Sequence, residues 1–358
     1  MRTVRDIEIF ENIPMLMRAA LNVPVENGKI VNDYRLRRAL PTIRYLAEHG
    51  ARVILIGHLG EKGAETLKPV AEALSILIRG VSFFDETVGA RARAAVRALA
   101  PGDILVMENL RRNKGERAND RVFAKELASL ADIFVQDCFD TCHRPHASII
   151  GVPEILPSYS GFLLEEEADE LTRALVPKKP SLAVIGGAKF STKEAVLTTL
   201  LKTYDHVFIG GALANDFLRA AGREVGKSLV SEVDENGIKN ILANPKLVLP
   251  VDSVVVDETI LDHGPDTVDI LSDLAKNAKT ILWNGPLGKY EDGYSEATDA
   301  FARVVANSKA YSIVGGGDTV AIIERLGLLS RFSFVSTGGG AMLQFLSHST
   351  LPGIAILG

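Results

Sequence analysis

The chemistry of this 358-residue chain concentrates in a few lysines, arginines and glycine turns. In "VIGGAKFSTKEAV" (Val184–Val196) an apolar run ends in two glycines, Lys189 and Lys193 follow, and Ser191 and Glu194 have the S-x-x-E spacing of a helix capping box. Cations flanking a helix start suit a transferring phosphoryl group, because electrostatics and positioning carry most of that catalysis. Two lysines on an ordinary solvated first turn would read the same way. "IVGGGDTVAII" (Ile313–Ile323) repeats the strand, glycine turn and helix start, with Asp318 and Thr319 placed either to serve magnesium and nucleotide phosphates or to cap the helix. "FVSTGGGAM" (Phe334–Met342) is a third such turn. Several of them on one sheet edge favour a nucleotide cleft, where helix N-termini offer N–H groups to anions.

The first half has a different inventory. "LMRAALNVP", "NDYRLRRAL", "IGHLG", "MENLRR" and "DTCHRPHAS" put basic groups at strand ends or in the loops after them. Arg18, Arg35, His58, Arg111 and Arg144 suit a small, strongly anionic ligand if they converge, and solvated faces if they do not. "QDCFDTCHRPHAS" (Gln136–Ser148) also gathers Cys138, Cys142, His143 and His146, four N/S groups close in sequence but in no standard zinc spacing. "GREVGKS" (Gly222–Ser228) fails as a phosphate loop, with three residues between its glycines where four are required, and reads as a helix end.

Positioning these groups requires a parallel-sheet scaffold. Short apolar runs such as "ARVILIG" and "DILVMEN" flank a segment of helical period, "LKPVAEALSILI", and the second half repeats the rhythm from "SLAVIGG" to "FSFVSTGGG". The length, against domains of roughly 100–200 residues, predicts two α/β domains. The acid-rich "GFLLEEEADELTRALVPKKPS" predicts a connecting helix ended near Pro177. A net charge of −5 gives no sign of nucleic-acid or membrane binding. Two cysteines do not make a disulfide framework, and no run approaches the ~18 apolar residues of a spanning helix, so a cytoplasmic protein is expected.

In order, "LNVPVENGKI", "RLRRALPTIRYL", "GHLG", "ENLR", "HRPHAS", "GGAKFSTK", "IGGALANDFL", "LPVD", "WNGPLG", "GGGDT", "STGGGA" and "LPG" resemble the phosphoglycerate kinase family over almost the whole chain. That resemblance implies two doubly wound parallel-sheet domains joined by a hinge helix, with a ligand cleft between them. The boundaries it implies are 1–162, with 345–358 packing back, for the phosphoglycerate domain, 163–177 for the hinge and 178–344 for the nucleotide domain. It implies reversible phosphoryl transfer between 1,3-bisphosphoglycerate and ADP, giving 3-phosphoglycerate and ATP, with Mg2+ as cofactor, in a monomer. By the family pattern Arg35 and Lys189 are catalytic, and Asn22, Arg35, His58, Arg111 and Arg144 hold phosphoglycerate. Lys193, Gly211, Asn284, Pro286, Glu291, Gly316, Gly317, Asp318 and Thr319 bind nucleotide, with Asp318 directed at the metal. The His-Arg-x-His loop then binds phosphoglycerate rather than zinc.

The chain departs from that pattern on the phosphoglycerate side. Ala20 stands where the family usually has a substrate-binding aspartate, and Glu61 where an arginine would contact substrate. Gln136 replaces an asparagine, Asp140 a glycine and Gln344 an acidic residue, and the stretch after Gly60 looks shortened. Arg18, Arg37 or Lys62 are candidate compensators. The alternatives are a phosphotransferase for another small carboxylic acid and a nucleotide-binding regulatory protein without turnover.

Overall fold

The computed structural model describes residues 1–188, 190–231 and 235–358, leaving Lys189 outside the described residues. The chain divides into two compact units, Met1–Ala168 with Thr350–Gly358, and Asp169–Ser349.

In the first unit β1 (Pro14–Ala19) precedes a small hairpin of β2 (Val25–Glu26) and β3 (Lys29–Ile30), followed by β4 (Arg52–Ile56), β5 (Val81–Phe84), β6 (Ile104–Met107), β7 (Ile133–Asp137) and β8 (Ser158–Ser160). Six of these form one parallel sheet in the order β5-β6-β4-β1-β7-β8. Successive β1 side chains point to opposite faces, and both faces are covered. Met15 and Met17 join Val53, Leu55, Ile104 and Val106 in one core, and Leu16 joins Ile54, Ile56, Leu105 and Phe134 in another. Continuous apolar strands such as "RVILI" follow from burial on both sides.

The second unit contains β9 (Ser181–Ile185), β10 (His206–Ile209), β11 (Leu247–Val248), an antiparallel hairpin of β12 (Ser253–Val256) and β13 (Thr259–His263), then β14 (Thr280–Asn284), β15 (Tyr311–Gly315) and β16 (Phe334–Val335). Its parallel sheet runs β11-β10-β9-β14-β15-β16. The order reverses between β9 and β14, the place where open α/β sheets leave a crevice beyond the strand carboxyl ends. The β12–β13 hairpin was not evident from periodicity, because "SVVVDETILDH" turns through Asp257 and Glu258, both at positive φ.

The acid-rich segment forms the helix Phe162–Leu175, and the Ala168/Asp169 division falls within it. The C-terminal residues belong to the first unit, where the Gly353 N–H donates to the Cys142 carbonyl at 2.8 Å. A Cβ at Gly353 would lie 2.7 Å from Ile149 and 3.0 Å from the Cys142 sulfur, so this approach needs glycine. Among the described residues no helix is long and apolar enough to cross a membrane.

Candidate active site

The nucleotide-type turns lie at the reversal point of the second sheet. Gly186 follows β9 and Gly285 follows β14, and a Cβ on Gly186 would stand 2.2 Å from the Pro286 carbonyl oxygen. Glycine is therefore the side-chain-free spacer that lets these two backbones meet. Across from them the helix Gly317–Arg325 starts at Gly316, at φ +97°. Neither Asp318 nor Thr319 caps it. The buried Thr319 hydroxyl accepts the Gly285 N–H at 2.9 Å, and Asp318 accepts the Tyr290 hydroxyl at 3.0 Å. The expected S-x-x-E box is also absent: Ser191 lies in a short 3-10 turn, and the next helix starts at Glu194 with Lys193 as an N-cap that makes no side-chain cap bond. Two turns in succession use up the residues that the spacing assigned to one helix start.

Two cavities open on this crevice. One of about 430 Å³ is lined by Gly186, Lys193, Asn284, Gly316, Asp318 and Thr319, among others. The second, of about 500 Å³, brings Gly211, Pro286, Glu291 and Asp318 together with the apolar side chains of Leu229, Ile260, Leu261 and Leu287. Asp318 lines both. Lys193 is 9% exposed, and burial lowers its pKa. A lysine so placed gains from an anion that would re-pair its charge. A glycine-lined pocket with Lys193, Asn284 and Asp318 in its wall, beside a more apolar one, suits a phosphorylated ligand with an apolar ring.

His263 is a residue that sequence reasoning missed. It is 3% exposed, and its Nε2 accepts the Gly211 N–H at 3.1 Å, which fixes the neutral ring with its proton on Nδ1. Burial pushes its pKa down to about 4. Its place at the end of β13, directly before the Gly264-Pro265 helix start, is the signal the sequence carries, and the irregular periodicity of the hairpin obscures it.

In the first unit the basic groups converge. The His58 pKa is held well below its ordinary value, first by burial and then by Arg18, Arg111 and Arg35. Arg18 is fully buried and donates to Ser148 Oγ at 3.0 Å, the Ala19 carbonyl at 2.9 Å, the Cys138 sulfur at 3.4 Å and His58 Nδ1 at 2.8 Å. It orients His58 from beneath and is too enclosed to contact a ligand, which removes it as a compensator. Arg37 pairs with Asp33 at 2.8 Å on the surface, and Lys62 is exposed.

The loops after β1 and β4 are tied by Asn22, whose Oδ1 accepts the Gly60 N–H at 3.0 Å and whose carbonyl accepts Arg35 Nη1 at 2.6 Å. Arg111 donates through Nη1 to the Gly60 carbonyl, while its Nε is buried without a partner in the protein. Burial lowers its pKa, Arg144 and Arg117 lower it further, and Glu61 works against them. Glu61 is thus exposed but within electrostatic range of Arg111. Arg144 is also exposed. A buried N–H without a partner, on a guanidinium whose pKa burial and neighbouring arginines lower, fits an oxygen-rich anion.

The cysteine loop has other duties. Cys138 and Cys142 are fully buried, and burial pushes Cys138 up to about 12 and Cys142 well above its ordinary value, so both remain thiols. Their sulfurs donate to Asp140 Oδ1 at 2.8 Å and to the Cys138 carbonyl at 3.3 Å. His146 lies 3.8 Å from Glu116, but burial followed by Arg18 and Arg111 brings it down to about 4, which leaves it neutral at pH 7. Among the described residues no group of three or more His, Cys, Asp or Glu is placed to hold a metal.

A family model for phosphoglycerate kinase matches residues 4–349. Phosphoglycerate kinase from Moorella thermoacetica is 42% identical, with 99% of this chain and 98% of the relative covered. The alignment spans 387 positions, more than this chain's 358 residues, so the relative carries segments that are absent here. Among solved structures, the enzyme from Coxiella burnetii is 39% identical with a TM-score of 0.84, covering 99% of this chain and 98% of that one. The enzyme from Pyrococcus horikoshii OT3 is 30% identical with a TM-score of 0.89, covering 100% and 98%. With two parallel six-stranded sheets and near-complete coverage in sequence and structure, the chain belongs to the phosphoglycerate kinase family.

Proposed function

We propose that this protein transfers a phosphoryl group reversibly between the acyl phosphate of 1,3-bisphosphoglycerate and ADP, giving 3-phosphoglycerate and ATP. The observation that carries the reading is the crevice at the carboxyl ends of β9 and β14, with backbone turns in close approach, a buried lysine and an adjoining apolar pocket. Lys193, Asn284 and the Gly316–Thr319 turn would take the phosphates, and Gly211, Pro286 and Glu291 the nucleoside. Asn22, His58, Arg111 and Arg144 would hold 3-phosphoglycerate, with Arg111 Nε donating to one of its oxygens.

Either nucleophile, the carboxylate or the terminal oxygen of ADP, is already ionised at neutral pH, so the reaction needs no general base. The protein's task is alignment and positive charge, which we assign to Arg35 and Lys189. Magnesium fits as an ion carried by the nucleotide, because Asp318 is one exposed carboxylate on both cavities and Mg2+ binds through one or two carboxylates plus phosphates. It would neutralise phosphate charge. We take the helix Phe162–Leu175 as the pivot of a closing motion.

A second reading, transfer to another small carboxylic acid, is favoured by Glu61 beside Arg111 and by the fully buried Ala20. The test is formation of acyl phosphate from ATP and 3-phosphoglycerate, coupled to its reduction, with Lys189→Ala as control. Turnover lost in the control supports the proposal. Magnesium-ATP binding without turnover on 3-phosphoglycerate overturns it, in favour of another acid or of a non-catalytic role.

A further inference from the structure

Arg35 stands on the first turn of the helix Tyr34–Glu48, and two groups from other segments bracket its Nη1. One is the Asn22 carbonyl at 2.6 Å, and the other is Asp140 Oδ2 at 4.0 Å. The Asp140 side chain is only 7% exposed. It sits in the 3-10 turn Phe139–Thr141, directly after the end of β7, and its second oxygen accepts the Cys138 thiol at 2.8 Å. Cys138 in turn packs with Ala20 and Leu163 in a small buried cluster. The contacts therefore run without interruption from Ala20 through Cys138 and Asp140 to Arg35. Position 20 itself is apolar and closed, and the carboxylate in this neighbourhood comes from the facing turn.

We propose that Asp140 is the positioning residue for Arg35, supplying from the turn after β7 the negative charge that Ala20 does not supply from the turn after β1. At 4.0 Å the carboxylate acts through charge rather than through a hydrogen bond, and it biases the guanidinium toward one orientation. Its own orientation is set by the thiol donor, and Cys138 keeps its proton because it is buried beside Asp140. A carboxylate among groups that bind an anion works against affinity, so its benefit has to appear in the alignment of Arg35. The inference rests on the acceptor-site reading of this basic cluster and names what orients its catalytic arginine.

The experiment compares the parent chain with Asp140→Asn, Asp140→Gly and the exchange Asp140→Gly/Ala20→Asp. Steady-state kinetics with 3-phosphoglycerate and ATP is run beside the NMR signal of the Arg35 Nε–H, a readout that requires no turnover. In both single variants kcat falls about tenfold, the scale of a slightly misplaced reacting group, while KM for ATP stays unchanged. The Arg35 signal, slow-exchanging in the parent, is lost to exchange. The exchanged pair recovers most of the rate together with the slow-exchanging Arg35 signal, which neither a merely structural role for Asp140 nor a direct contact of the position-20 carboxylate with substrate would produce. If Asp140→Asn keeps the parent's rate and the parent's Arg35 signal, the inference is wrong. It is equally wrong if the exchanged pair, folded by its melting profile, is no faster than Asp140→Gly. A parent without activity on 3-phosphoglycerate defeats the acceptor reading alone, and the Arg35 signal in Asp140→Asn then decides the inference.

Discussion

Thr319 Oγ1 accepts the Gly285 N–H at 2.9 Å, joining the first turn of the helix Gly317–Arg325 to the turn after β14. Both groups are buried, so removing the acceptor strands an amide at a cost of roughly 1–3 kcal/mol. Thr319→Val keeps the volume and loses the acceptor, and it is expected to lower stability by that amount and ADP affinity about tenfold. Thr319→Ser keeps the oxygen and should stay near the parent in both. Urea denaturation and calorimetric ADP titration separate the two variants, and equal behaviour would remove Thr319 from the nucleotide turn.

The only tryptophan of the sequence reports on that turn from its other side. Trp283 is fully buried, and its Nε1–H donates to the Gly285 carbonyl at 2.8 Å. Ligand phosphates that engage the crevice polarise this peptide, so ADP should change the intrinsic emission saturably, with a midpoint equal to the calorimetric dissociation constant. An unchanged spectrum during demonstrated binding would show that the phosphates engage elsewhere.

His263 links nucleotide-site geometry to pH. Its pKa is about 4 in the folded protein, below the 6.5 of an unfolded histidine. The stability it contributes is therefore complete above pH 6.5 and is lost as pH falls toward 4, because the unfolded chain binds the proton first. The loss proceeds at up to about 1.4 kcal/mol per pH unit and sums to roughly 3 kcal/mol. His263→Phe lacks this proton, so the stability gap between parent and variant should shift by that amount in the variant's favour between pH 7 and pH 4. Asp137 has the opposite sign: burial raises it to about 7, so its stabilising contribution is greatest in acid and fades as pH rises through 7.

The crevice itself predicts contrasting glycine substitutions. A Cβ at Gly186 meets the Pro286 oxygen at 2.2 Å and the Gly285 oxygen at 2.7 Å, and both are backbone atoms with no rotamer to yield. At Gly317 a Cβ meets nothing within 4 Å. Gly186→Ala should cost about 1–3 kcal/mol and abolish nucleotide binding, whereas Gly317→Ala, at the start of a helix, should melt no lower than the parent. Thermal unfolding of the two, side by side, checks whether the turns or merely their composition matter.

The fold was legible where periodicity is strong. Runs such as "RVILI" and "SLAVI" announce strands buried on both faces, and the glycine turns after them locate the crevice. Local rules failed where tertiary contacts took over. Asp318 and Thr319 read as a cap and instead bond to Tyr290 and Gly285, 28 and 34 residues away. Arg18 read as a possible ligand group, yet the fold encloses it against Ser148, Cys138 and His58. Asp140 is visible in the sequence only as an unusual residue, because the Arg35 guanidinium it faces lies more than a hundred positions earlier.

Glu61 is the remaining departure whose placement has a measurable consequence. It is exposed, and its charge partly offsets the burial and the neighbouring arginines that depress Arg111. If Arg111 holds the anionic substrate as proposed, that substrate meets a residual repulsion that Glu61→Gln removes and Glu61→Arg reverses. Because the side chain is solvated, the effect is small: about threefold in KM for 3-phosphoglycerate with Gln and somewhat more with Arg, with kcat unchanged. Screening sets its second signature, since the Debye length falls from ~30 Å at 0.01 M salt to ~10 Å at 0.1 M. The ratio of parent to variant KM should contract toward one over that range. A ratio that is independent of salt would mean that Glu61 acts by shape, through the Gly60 carbonyl that Arg111 also holds, rather than by charge.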